Sequence, residues 1–136
     1  MILNSYVVKK AAMLVGKPYI YGAKIPKGTQ PQQVKAVDCS GLVQWTCGEL
    51  GVATNMIGNA AQQYSRCIPL TVAVAKNTPG ALVFRYDSAK GRIGHVGISD
   101  GKGNTIEARG KAYGVVKTKW RKSWTHAALI PGVHYI

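Results

Sequence analysis

Val37-Asp38-Cys39-Ser40-Gly41-Leu42-Val43-Gln44-Trp45 decides the fold. It reads as the start of a helix with a cysteine in its first turn. Unpaired amides and the dipole at a helix N-terminus favour a thiolate over a thiol, so position alone supplies part of the activation a nucleophile needs. Leu42, Val43, Thr46, Cys47 and Leu50 recur at helical spacing, with Gln44 and Glu49 off the stripe, and Gly51 closes the helix. Cys39 shares the stripe's side of the helix, so its partner should come from the protein and not from bulk water. The plain alternative is a buried cysteine that only packs, since cysteine is among the most commonly buried residue types.

Ile93-Gly94-His95-Val96-Gly97-Ile98-Ser99 offers the partner. Alternation with period two makes it a strand with Val96 and Ile98 on one face and His95, Gly97 and Ser99 on the other. Asp100-Gly101-Lys102-Gly103 is turn chemistry, and Thr105-Ile106-Glu107-Ala108-Arg109 reads as the returning strand of a hairpin. Thr105, Glu107 and Arg109 fall on the histidine's face. A loop centred on Gly101 would set Glu107 directly opposite His95. A carboxylate beside an imidazole fixes its tautomer and steadies the imidazolium, so Cys39 becomes the candidate nucleophile, His95 the base and acid, and Glu107 the orienter.

In this order Asp38-Cys39-Ser40-Gly41-Leu42-Val43, Pro79-Gly80-Ala81-Leu82-Val83-Phe84 and His95-Val96-Gly97-Ile98 resemble the NlpC-type cell-wall endopeptidases, a branch of the papain-like cysteine peptidases. Gly16-Lys17-Pro18-Tyr19-Ile20-Tyr21-Gly22 is similar to that family's opening motif. The resemblance runs from about Ala11 to Val116. It implies an α+β papain-like domain in which the cysteine helix packs on an antiparallel sheet. It also implies hydrolysis of amide bonds in peptidoglycan stem peptides, typically next to a D-glutamyl residue. By the same resemblance Tyr19 lines the active site near the thiol, and Asp38 and Ser40 hold the free amine of a stem peptide's first residue. The residues alone also allow a core tyrosine at 19 and helix capping by Asp38 and Ser40. Glu107 stands where the family most often has histidine, Ala81 where it usually has aspartate, and Tyr21 and Ala23 where tryptophan and a second glycine are common.

With 136 residues and 46% hydrophobic residues, the chain is expected to form one domain, 1–136, with a core of its own. No apolar run reaches the ~18 residues of a membrane helix. Met1 to Lys10 lacks a basic region followed by an apolar stretch, so no secretory signal peptide is expected. A protein that acts on the cell wall would then be delivered by phage or prophage lysis, by tail or secretion machinery, or as part of a longer chain. Eighteen Lys and Arg against five Asp and Glu give a formal net charge of +13, which favours polyanions such as an anionic cell-wall polymer. The charges are scattered, as at Lys9-Lys10, Lys24 with Lys27, Arg85 with Lys90 and Arg92, and Lys111 to Lys122. That scatter argues against a nucleic-acid-binding face.

Three cysteines leave at least one thiol unpaired in a monomer, and Cys39 is the natural one; Cys47 packs and Cys67 could pair with it in an oxidising compartment. No Cys/His cluster has ligand spacing, so neither metal nor cofactor is expected. The remaining pattern predicts a first helix from about Ser5 to Val15 and a loop from Ala23 to Ala36. A short helix over Asn59–Arg66 should bury Ala60, Ala61 and Tyr64. Leu70–Ala75 reads as strand or irregular chain, with later strands at Leu82–Phe84, Val115–Lys119 and Ala127–Ile130. Trp120 and Trp124 bracket a basic turn and could stack on sugar rings or cover the core, with the core favoured, and His126 and His134 read as incidental. The same thiol scaffold also serves amidases and acyltransferases. A non-enzymatic polyanion-binding module is the rival from another class.

Overall fold

The computed structural model describes residues 1–26 and 28–136; Lys27, one of the basic residues noted above, lies outside the described residues. In chain order the elements are β1 (Ile2–Leu3), α1 (Asn4–Ala12), a 3-10 turn (Pro31–Gln33), α2 (Cys39–Leu50), α3 (Ala60–Ser65), β2 (Ile68–Leu70), α4 (Val72–Lys76), β3 (Leu82–Asp87), β4 (Arg92–Ser99), β5 (Asn104–Ala108), β6 (Val115–Lys119), β7 (His126–Leu129) and β8 (Val133–His134). Six strands form one sheet in the order β2-β7-β3-β4-β5-β6, and β1 pairs with β8 apart from it. Every neighbouring pair in the six-stranded sheet is antiparallel. This is the α+β arrangement expected from the hairpin-rich second half.

The alternation of β4 sorts two cores onto the sheet's two faces. Val96, Ile98, Ile106 and Ala108 join Leu42 and Val43 of α2 and Val7 and Ala11 of α1 in the larger one. Ala81, Val83, Trp124 and Ala127 form the smaller one with Ala75 of α4. Val83 pairs with Gly97 and Arg85 with His95, so the histidine belongs to the smaller core's face. The β3–β4 register then shifts, with Tyr86 opposite Ile93, which leaves Gly94 as an extra residue beside His95. A bulge of this kind bends its strand and re-aims neighbouring side chains.

Several boundaries differ from the sequence reading. The first helix stops at Ala12 because the amides of Met13, Leu14 and Val15 bond to carbonyls three residues back, before Gly16, at φ 98°, ends the segment. Leu70–Ala75 divides into the end of β2 and the start of α4, where the Thr71 hydroxyl caps the helix by accepting from the Val74 amide. In α3 the buried positions are Ala60 and Gln63, while Ala61 and Tyr64 are only partly buried. Gln63 is buried because its side-chain amide donates to the backbone carbonyls of Ser40 at 2.8 Å and Met56 at 3.0 Å. A polar residue thus ties α3 to the first turn of α2, and hydrophobic spacing cannot reveal such a role. Cys39, Cys47 and Cys67 are all free thiols, so the pairing of Cys67 with Cys47 is not made.

Candidate active site

The first turn of α2 forms as the sequence predicts. Asp38 is the N-cap, in extended conformation, and its Oδ1 accepts from the Gly41 amide at 2.6 Å. Such a cap contributes about 1 kcal/mol to the helix and fixes where its first residue sits. Gly41 is required there, since a Cβ would lie 2.7 Å from both the Ala23 carbonyl oxygen and Asp38 Oδ1. The Asp38 amide donates to Ala23, and Tyr19 pairs with Val37 in an isolated parallel bridge. These contacts bring the tyrosine segment alongside Cys39. Cys39, partly exposed at the helix start, lines a cleft with Tyr19, Tyr21, Ser40, Lys90 and Arg92. The Lys90 ammonium lies over the Tyr21 ring, 5.7 Å from its centroid.

His95 and Glu107 come together, though not in the expected register. Ser99 pairs with Thr105 and Ile98 with Ile106, so the hairpin is centred on Lys102 and the direct-opposite placement of Glu107 is corrected by two residues along β4. Asp100 causes the difference. Its amide donates to the Asn104 carbonyl, and its Oδ1 accepts from the Lys102 amide at 2.7 Å and the Asn104 amide at 3.0 Å, which closes the loop around residues 101–103. Glu107 therefore lies beside Gly97, whose ideal Cβ would sit 3.4 Å from the glutamate's own, and reaches His95 diagonally. The distance from His95 Nε2 to Glu107 Oε1 is 2.8 Å. Cross-strand diagonals are within reach of long side chains, and the absent side chain at Gly97 keeps the path open.

Glu107 is completely buried, and three groups donate to it: His95 through Nε2, Thr105 through its hydroxyl and Arg121 through Nη2. Burial alone would raise its pKa, but these hydrogen bonds and the imidazolium charge hold it at about 2. Burial likewise pulls His95 down. Hydrogen bonding to the Cys39 side chain and to Glu107, with the charges of both, outweighs burial and keeps the ring above the ordinary histidine value. Because Nε2 is committed to Glu107, Nδ1 is the nitrogen left for Cys39. The Trp124 indole stacks on the imidazole, with centroids 5.7 Å apart and planes 14° apart. The Tyr19 phenol, which lines the same cleft as Cys39, is pushed up, chiefly by burial and then by Cys39 and Asp38. Burial drives the thiols of Cys47 and Cys67 to about 12.

Asp38 and Ser40 are occupied from within the chain. The Lys24 ammonium lies 2.7 and 2.6 Å from the two Asp38 carboxylate oxygens and 2.7 Å from the Ser40 hydroxyl. Sequence reasoning missed this contact, and it missed Arg121 and the stacking of Trp124 as well. Thr105 was legible as a residue on the glutamate's face. Among the described residues no group of three or more His, Cys, Asp or Glu is arranged to hold a metal ion, and no helix is long and apolar enough to cross a membrane.

The NlpC/P60 family model matches residues 16–130, and the chain belongs to that family. The chain is 33% identical over 103 residues to the gamma-DL-glutamyl hydrolase of Bacillus subtilis, a match that covers 75% of this chain and 22% of that protein. It is also 33% identical over 103 residues to the bifunctional muramidase/DL-endopeptidase CwlT of the same organism, covering 75% of this chain and 28% of that one. The matched part thus spans under a third of either relative. Among solved structures, the peptidoglycan hydrolase RipB of Mycobacterium tuberculosis superposes with a TM-score of 0.71 at 28% identity, covering 97% of this chain and 65% of that one. The P60 domain of an antigen of M. avium subspecies paratuberculosis gives a TM-score of 0.71 at 26% identity and covers 93% of both chains. The papain-like fold is therefore the fold of this chain.

Proposed function

We propose that the protein is a peptidoglycan hydrolase, a cysteine endopeptidase that cleaves amide bonds in stem peptides through Cys39, His95 and Glu107. The observation that carries the reading is the buried His95–Glu107 pair facing a partly exposed thiol at a helix N-terminus. Relatives named a DL-glutamyl hydrolase and a DL-endopeptidase favour a scissile bond at a D-glutamyl residue. The Cys39 proton passes to His95 Nδ1, and the thiolate attacks the scissile carbonyl carbon. The Cys39 backbone N–H, an amide the helix itself does not use, receives the developing oxyanion. Collapse expels the amine, which takes the proton from His95, and leaves a thioester on Cys39. Water then gives a proton to His95 and attacks the thioester, releasing the acid and restoring the thiol.

Tyr19, Asp38 and Ser40 form the substrate side of this reading, with Lys24 seated where a stem-peptide amine would otherwise bind. The net charge of +13 suits attraction to anionic wall polymers, which would hold the enzyme at its substrate. The triad does not dictate which bond is cut, so product analysis is the test. Purified peptidoglycan is digested and the new termini are identified by mass spectrometry. New amino and carboxyl termini within the stem peptide are expected; release of whole stem peptides from the glycan would make the protein an amidase instead.

A further inference from the structure

We propose that Arg121 is a positioning residue of the thiol site, clamping Glu107 from behind and steadying the His95 ring through the Trp124 indole. The proposal rests on the Cys-His-Glu reading above. Arg121 and Trp124 both come from the connection between β6 and β7, and each touches one half of the His95–Glu107 pair. Arg121 Nη2 donates to Glu107 Oε1, the same oxygen that accepts from His95, at 2.5 Å. Its guanidinium lies over the Trp124 ring, 4.9 Å from the centroid, and that ring stacks on the imidazole. Arg121 Nη1 is buried and makes no hydrogen bond in the structure, so the indole face takes the place of a polar partner. Gly97 makes room for the arrangement, because a Cβ there would come within 3.1 Å of Trp124 Cη2. Four residues thus close a ring of contacts: guanidinium to carboxylate, carboxylate to imidazole, imidazole to indole, indole to guanidinium.

The closed ring has two consequences. First, Glu107 cannot rotate away from His95 without abandoning Arg121 and Thr105, so the ring N–H that fixes the tautomer is held between turnovers. Second, a carboxylate shared with a permanent cation draws less on the imidazolium than a bare one. Arg121 therefore keeps His95 from binding its proton too tightly to return it to the leaving amine. The charged and titratable groups around the imidazole are Cys39 from α2, Glu107 from β5, Arg121 behind Glu107, and Arg85, its register partner on β3. Arg109, further along β5, turns instead to Thr118 and the Tyr113 ring.

The test follows the His95 ring by NMR through a pH titration in a Cys39→Ala background, alongside kcat and KM in the corresponding Cys39 enzymes. Arg121→Met should move the His95 titration to higher pH and lower kcat by roughly tenfold with KM little changed. Arg121→Lys should leave the titration near its original position while kcat still falls severalfold, because a charge remains but the planar contact with Trp124 is lost. If Arg121→Met does not fold, the lysine variant decides alone, and wild-type kcat in it overturns the proposal. A titration that moves in Glu107→Gln but not in Arg121→Met overturns the role of Arg121 and leaves the triad standing. A titration that moves in neither overturns the triad as well.

Discussion

Replacing Glu107 should cost both stability and turnover, by amounts that can be worked from its surroundings. Its carboxylate is fully buried and receives three donors, two of them on cationic partners. Glu107→Ala leaves Arg121 and His95 facing an empty acceptor site, and breaking a buried ion pair in this way costs about 3–5 kcal/mol. Glu107→Gln keeps one carbonyl acceptor for His95 but points an amide donor at Thr105 or Arg121, so a smaller loss of about 1–3 kcal/mol is expected. Urea unfolding at neutral pH reads these numbers. The pH dependence gives a second reading. Glu107 falls from the ordinary 4.5 to about 2 in the folded protein, so its contribution is complete above the ordinary value and is lost as the pH falls through about 2. At about 1.4 kcal/mol per pKa unit, that difference is on the order of 3 kcal/mol. Glu107→Gln should lack this part of the acid limb. His95, raised in the folded state, acts with the opposite sign: its contribution is present at low pH and lost as the pH rises through its folded value. For turnover, loss of charge with the orienting acceptor kept should lower kcat/KM by roughly ten- to a hundredfold in the glutamine variant, and by more in the alanine variant. Wild-type turnover together with unchanged unfolding in both variants would refute the assignment of Glu107.

Three further outcomes are expected. Iodoacetamide at neutral pH should alkylate Cys39 far faster than Cys47 or Cys67, both of which burial pushes to about 12; equal rates in the folded protein would contradict the distinction. Lys24→Met empties the Asp38–Ser40 notch, so KM for a soluble stem peptide with a free amine should fall severalfold relative to the same peptide acetylated. An equal effect on both peptides would show that the notch does not receive an amine. Activity on intact walls should fall steeply as salt shortens the Debye length to ~10 Å near ~0.1 M, while activity on a small soluble peptide hardly changes; parallel salt curves would give the +13 charge another role.

The parts of this site that could be read from the sequence are those that obey a period or a local rule. The helix at Cys39 shows itself through its apolar stripe, its Asp38 cap and the closing Gly51, all of which form. The His95 strand shows itself through alternation, which also puts Glu107 on the correct face. The exact register depended on side-chain hydrogen bonds from Asp100 within the loop, and a turn-residue pattern does not disclose their number. Arg121 lay hidden for another reason. It sits in a connection with no period, among lysines that differ from it only in what they touch. Lys24 is similarly indistinguishable from a solvated lysine until the fold brings its loop against the N-cap. Gln63 reads as a polar helix residue, and only the backbone carbonyls it meets explain its burial.

The role of Cys39 is best tested by a comparison of thiols. Cys39→Ala, Cys47→Ala and Cys67→Ala are prepared with wild type, their folds are compared by circular dichroism, and each is incubated with purified peptidoglycan while new amino termini are counted. The folded Cys39→Ala protein is expected to release none, while the other two variants, to the extent that they fold, release them at rates close to wild type. Release of new termini by the folded Cys39→Ala protein would contradict that role.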